Sequence, residues 1–234
     1  MILCVICFSG CITIRSNPES RITEYILLKA EKGTFPDSIA VLPVITTDRI
    51  RNYRSVIDLP GGYGECVFRE IKQETGLKLG RVLPPSRTAR GLRLTGVSTA
   101  SFTVEDLFED NCRPLSCMCG MLGVEGMLII ELTDVRLYRS DSISMACEAE
   151  SRVRLWSESA GVSVADYEVV SKVEMEENEL LIELMSWLAL NEDEPPVIPN
   201  PDYRIKAENA AMAVIGVSAR DAASRLISYR KRLD

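Results

Sequence analysis

The chain contains no histidine, and that absence removes Ser-His-Asp triads, His-ligated zinc proteases and imidazole acid-base chemistry. Proton transfer would fall to carboxylates, lysine, tyrosine or cysteine. Aromatic residues make up only 6 %, and the sequence marks none of Trp156, Tyr167 or Trp187 as an adenine-stacking platform. Trp187 lies in the apolar run 180–190 and is expected in the core. Basic residues are the minority, 27 against 34 acidic, for a net charge of −7. That balance excludes an extended electrostatic footprint on DNA. An anionic substrate would need a local cationic pocket or a metal. Long hydrophobic runs are also missing. The opening run from Met1 to Ile14 is apolar but too short to span a bilayer, so no membrane partner is expected. Phe8-Ser9-Gly10-Cys11 has the look of a lipoprotein cleavage site, yet no basic segment precedes it, and the run reads as a first β-strand.

What is present is ordinary for a globular protein: 234 residues, 46 % hydrophobic and 26 % charged. Of the eight cysteines, Cys4, Cys7 and Cys11 form one group and Cys112, Cys117 and Cys119 another. A zinc site drawn from both groups is one reading. Buried free thiols are the preferred one, because Cys4 and Cys7 sit in a β-prone run where cysteine acts as a small hydrophobe. A chain of this size does not need disulfide staples, which points to a reduced, cytoplasmic protein.

Aliphatic and β-branched runs predict strands over 1–14, 24–29, 38–46, 55–59, 127–137 and 167–173. Helices are predicted over 65–75 and 177–190. A third helical region runs from Tyr203 to the C-terminus, broken near Gly216, with Ser218 and Asp221 resembling a capping box that restarts it. Residues 191–202, acidic and rich in proline, read as an exposed linker. Residues 81–113, with Pro84-Pro85 and scattered arginines, read as an irregular insertion. The expected organisation is thus a domain over 1–190, a linker, and a C-terminal helical segment over 203–234.

The chemistry concentrates between Val56 and Leu77. This stretch reads as an apolar strand, a Pro60-Gly61-Gly62 turn, and a helix closed by Gly76 in the left-handed C-terminal position. On that helix Val67, Phe68, Ile71 and Thr75 share one arc, while Glu70, Gln73 and Glu74 share another. Carboxylates four residues apart repel by about 0.2 to 0.5 kcal/mol when exposed. A hard divalent cation between them would convert that repulsion into coordination.

Leu59-Pro60-Gly61-Gly62, together with Arg69-Glu70-Ile71-Lys72-Gln73-Glu74-Thr75-Gly76-Leu77, resembles the Nudix box. Against the family pattern Gln73 replaces a glutamate, and the segment between Gly62 and Arg69 is short by about seven residues, a shift large beside the tolerance of a catalytic site. The flanks are most similar to ADP-ribose and ADP-sugar pyrophosphatases. The resemblance implies an α/β/α Nudix fold with a mixed sheet between helices, and hydrolysis of a nucleoside diphosphate sugar with Mg²⁺ or Mn²⁺. It implies metal roles for Glu70, Gln73 and Glu74, with Arg69 orienting them. Tyr53, Arg54, Gly61 and Gly62 would contact substrate. Asp166 or Glu168 would activate water, with Glu125 a weaker candidate, and Glu65 would stand where the family's earlier glutamate does. A homodimer sharing its active sites is also implied. The alternative carried by Gln73 and the short loop is a Nudix-fold protein that has lost catalysis and binds nucleotides or proteins.

Overall fold

The structure is a computed structural model, and it describes residues 19–24, 31, 33–46, 59–73, 79–96, 107, 113–139, 144–176 and 201–233. Seven strands form one mixed sheet: β1 (Glu19–Glu24), β2 (Ser38–Val41), β3 (Ile45–Thr46), β4 (Arg81–Leu83), β5 (Gly126–Arg139), β6 (Ser144–Ser157) and β7 (Val162–Glu176). Their order is β1-β7-β6-β5-β2-β4, with β3 also paired to β5. Four helices lie among the described residues: α1 (Leu59–Gln73), α2 (Pro85–Leu94), α3 (Arg113–Leu122) and α4 (Pro201–Leu233). The fold is therefore α/β, as expected.

Topology divides the sheet into two halves. Strands β4, β2 and β5 are parallel neighbours and need helical crossovers, which α1 and then α2 and α3 supply. Strands β5, β6, β7 and β1 are antiparallel, and β6 passes directly into β7 by a tight turn. Gly161, at φ 64°, sits in the β6–β7 turn, where a side chain would be strained. Pro43 separates β2 from β3, so the single strand expected over 38–46 is two. A proline cannot donate to the ladder.

Each face of the sheet has its own core. On one face Leu128, Ile130, Leu132, Val153, Leu155, Tyr167 and Val169 pack against Tyr63, Val67 and Ile71 of α1 and Ile215, Ala219, Ala222 and Leu226 of α4. On the other, Met127, Ile129 and Trp156 pack against Leu92 of α2 and Leu115, Met118 and Cys119 of α3. The alternation of side chains along β5 and β6 sends each set to its own side.

Several expectations are corrected. Leu59 begins a helix rather than ending a strand, and Pro60, Gly61 and Gly62 form the first turn of α1 instead of a bend. Proline suits a first helical turn, whose N–H groups have no partner within the helix. Glycine is unfavourable in a helix by about 1 kcal/mol, but Gly62 and Gly64 allow close packing. A Cβ at Gly62 would lie 3.2 Å from the Met212 side chain, and one at Gly64 would lie 3.1 Å from both Val44 and Pro85.

The supposed insertion contains the edge strand β4 and the helix α2, with Pro85 in the first turn of α2. The C-terminal helix runs unbroken through Gly216. Ser218 is not a cap there, for it is fully buried and shares a hydrogen bond with Tyr63. The strand and helix expected over 1–14 and 177–190, and the linker residues 191–200, lie outside the described residues. Among the described residues no helix is long and apolar enough to cross a membrane.

Candidate functional site

Tyr63, Val67 and Ile71, spaced four apart, form the buried stripe of α1, and this turns Glu70 and Gln73 outward. Glu70 is half-buried, and its carboxylate lies 3.9 Å from Arg220 of α4. Gln73 is exposed, and Glu74 lies outside the described residues. Arg69 does not orient either position: its Nη2 donates to Cys66 Sγ at 3.3 Å, one turn back. Among the described residues the helix therefore offers one carboxylate and a neutral amide beside a guanidinium, fewer oxygen ligands than a hard divalent ion takes. Among the described residues no group of three or more His, Cys, Asp or Glu side chains could hold a metal.

The candidate base lies elsewhere. Arg154 pairs with Asp166 and Arg152 with Glu168 in the β6–β7 register, and Glu131 of β5 stands opposite Arg152. These side chains alternate with Val153, Leu155 and Tyr167, so they project from the face opposite α1 and α4. Arg152 donates to Asp166 from Nε at 3.1 Å and from Nη2 at 3.0 Å. Arg154 donates from Nε at 3.0 Å and from Nη2 at 2.7 Å. Four donors use the lone pairs of one carboxylate, and Asp166 is only 2 % exposed.

Glu131 borders this array. Burial raises its carboxyl above the usual glutamate range; Arg152 draws it back and Glu168 adds to the rise. Further along the same face Arg136 bonds Glu148 at 2.9 and 2.6 Å and also engages Glu150. At the other end Trp156 closes the second core at 3 % exposure, which denies its ring to a stacking base. Among the described residues its Nε1 and the Ser163 hydroxyl are buried with no hydrogen-bond partner.

On the α1–α4 face the fully buried polar groups are hydroxyls. Tyr63 shares its hydroxyl with Ser151 at 2.6 Å and Ser218 at 3.0 Å. Tyr167 donates to the Ala222 carbonyl at 2.6 Å and stacks on Tyr229 with centroids 5.7 Å apart. Burial raises the phenols of Tyr63 and Tyr167 above their ordinary value. The cysteines follow the same logic: burial pushes the Cys119 and Cys147 thiols up to about 12. They are inert at neutral pH, whereas Cys117 is exposed.

Of the residues singled out in the sequence, Glu70, Gln73 and Arg69 stay on α1, Asp166 lies across the sheet from them, and Glu168 is its neighbour on β7. Glu125 acts locally, its Oε2 accepting the Asp37 N–H at 2.8 Å. Glu65 is half-buried on α1, and Tyr53 and Arg54 lie outside the described residues. Sequence reasoning missed Arg152 and Arg154. Their signal was the alternation of charge with Ser151, Val153 and Leu155, which marks a strand with one charged face.

No protein-family model matches the chain, and no characterised protein matches it in sequence. Several solved structures are similar in shape. Lipoprotein GNA1162 from Neisseria meningitidis shares 13 % identity, with 66 % of this chain and 96 % of that one covered, at a TM-score of 0.39. The hypothetical protein CT253 from Chlamydia trachomatis shares 12 %, with 86 % and 98 % covered, at 0.41. The PelC dodecamer from Paraburkholderia phytofirmans shares 9 %, with 88 % and 98 % covered, at 0.36. Likenesses of this degree carry neither an activity nor a partner to this chain.

Proposed function

We propose that the chain is a non-catalytic α/β interaction module. One observation carries this reading: Asp166 is occupied by two arginines, on the opposite face of the sheet from Glu70. A general base must reach the reacting atoms within hydrogen-bond distance. Here the two carboxylates that the sequence assigns to one site are separated by a packed sheet, and each has a structural partner.

The competing reading is Mg²⁺-dependent hydrolysis of ADP-ribose or a similar nucleotide sugar by a Nudix-fold enzyme, supported by the motif resemblance alone. Incubating the purified full chain with ADP-ribose and Mg²⁺ or Mn²⁺ separates the two. The module reading expects no turnover above the protein-free blank. Metal-dependent turnover that disappears in Glu70→Gln would overturn it. ADP-ribose binding without turnover, measured by calorimetry, would identify the module as a nucleotide binder. The homodimer implied by the resemblance is read from light scattering on the same sample.

A further inference from the structure

Charge is distributed unevenly along this acidic chain. Between Glu74 and Glu105 there is no acidic residue but five basic ones, Lys78, Arg81, Arg87, Arg90 and Arg93. Three of these fall on α2. That helix buries Thr88 and Leu92 and leaves Arg87, Arg90 and Arg93 exposed. At about 100° per residue, these arginines span one outward arc, and Leu94 falls between Arg87 and Arg90 within it. Leu94 is 80 % exposed, where an ordinary surface leucine at least leans on neighbours. Gly91 packs against Leu122 of α3, which brings exposed Met121 to the same helix pair. Among the described residues none of the three arginines enters an ion pair, and Arg93 makes only a weak 3.4 Å bond to the Ala89 carbonyl.

We propose that α2 docks on an anionic lipid bilayer, lying in its surface with Leu94 inserted and Arg87, Arg90 and Arg93 among the phosphates. Charge complementarity limits the partner to a polyanionic surface, since three unneutralised guanidinium groups sit on one arc of a chain whose net charge is −7. The leucine then chooses among such surfaces. A phosphate backbone has no use for a protruding aliphatic side chain. A helix seated in a protein groove presents a row of apolar anchors at i, i+4 and i+7, whereas the exposed arc of α2 has one. Lipid accepts a single inserted side chain ringed by cations that reach the headgroups. The contact is weak, reversible and sensitive to salt. It goes beyond the module reading and does not depend on whether the chain hydrolyses nucleotides.

Co-sedimentation of the full chain with vesicles tests the proposal. Binding is expected to equal parts of phosphatidylcholine and phosphatidylglycerol at low ionic strength, and not to phosphatidylcholine alone. Each arginine contributes about fivefold to the partition coefficient. The triple change Arg87→Gln, Arg90→Gln, Arg93→Gln should therefore lower it about 100-fold, and Leu94→Ser about tenfold. All four side chains are exposed, so circular dichroism should show unchanged folding. Absence of wild-type binding, or binding that the triple change leaves intact, overturns the proposal. Arginine-dependent binding to polyglutamate or to a DNA duplex in place of vesicles also overturns it, in favour of a protein or nucleic-acid partner.

Discussion

The two faces of the sheet solve the same problem with different chemistry. Under α1 and α4 the fully buried polar side chains Tyr63, Tyr167, Ser151 and Ser218 are hydroxyls, and each is paired with a neighbour. On the opposite face Arg152, Arg154 and Asp166 are charged and held by one another. Neutral groups cost little to bury once hydrogen-bonded, while charges are tolerated only when paired. Asp166 on the charged face is therefore already employed in the fold. What looks like a reserve of acids for catalysis is the counter-charge of two arginines.

That contrast predicts a ranking. Asp166→Ala strips the counter-ion from two arginines and should destabilise the chain by about 3–5 kcal/mol in urea unfolding. Gly62→Leu tests the neutral face by forcing a side chain into the α1–α4 contact, where a Cβ alone reaches 3.2 Å from Met212. About 1–3 kcal/mol should be lost. Tyr63→Phe should cost only about 1 kcal/mol, since Ser151 and Ser218, already 3.5 Å apart, can satisfy each other. Glu70→Gln removes a partly exposed pair with Arg220 and should change stability by less than about 1 kcal/mol. A loss at Tyr63 as large as that at Asp166 would erase the distinction between the faces.

Acidity offers a finer probe of the charged face. The folded Glu131 carboxyl binds its proton more tightly than it does in the unfolded chain, because burial disfavours the anion. Its contribution to stability is therefore present at low pH and declines as pH rises from the ordinary glutamate value through the raised folded one. Glu131→Gln should flatten that part of the stability profile and leave the α1–α4 face unaltered. A profile identical to wild type would mean that Arg152 fully compensates the burial of Glu131.

Legibility in the sequence followed the strength of local pattern. The aliphatic runs that became β2, β5 and β7 were readable, as was the buried arc of Val67 and Ile71 on α1. Strand β6 was not, because Ala146, Ala149, Glu148 and Glu150 have low intrinsic strand preference and only their alternation reveals it. Pro60-Gly61-Gly62 read as a turn because glycine pairs usually punctuate chains. As a helix it sets Gly62 against Met212, about 150 residues away in sequence, and no local rule contains that contact. The same limit applies to the site. The acidic residues were visible one by one, but whether they converge is decided by which face of the sheet each occupies. That depended on the unrecognised β6.

The most direct measurement is a double-mutant cycle between Asp166 and Arg154, with Asp166→Ala, Arg154→Met and the combined variant compared by equilibrium unfolding in urea. A structural ion pair predicts strong coupling, with the double variant more stable than Asp166→Ala alone because it no longer buries that unpaired arginine. Additive losses, with each single variant near wild type in stability, would show that Asp166 is free of this structural role and would return it to the list of candidate catalytic groups.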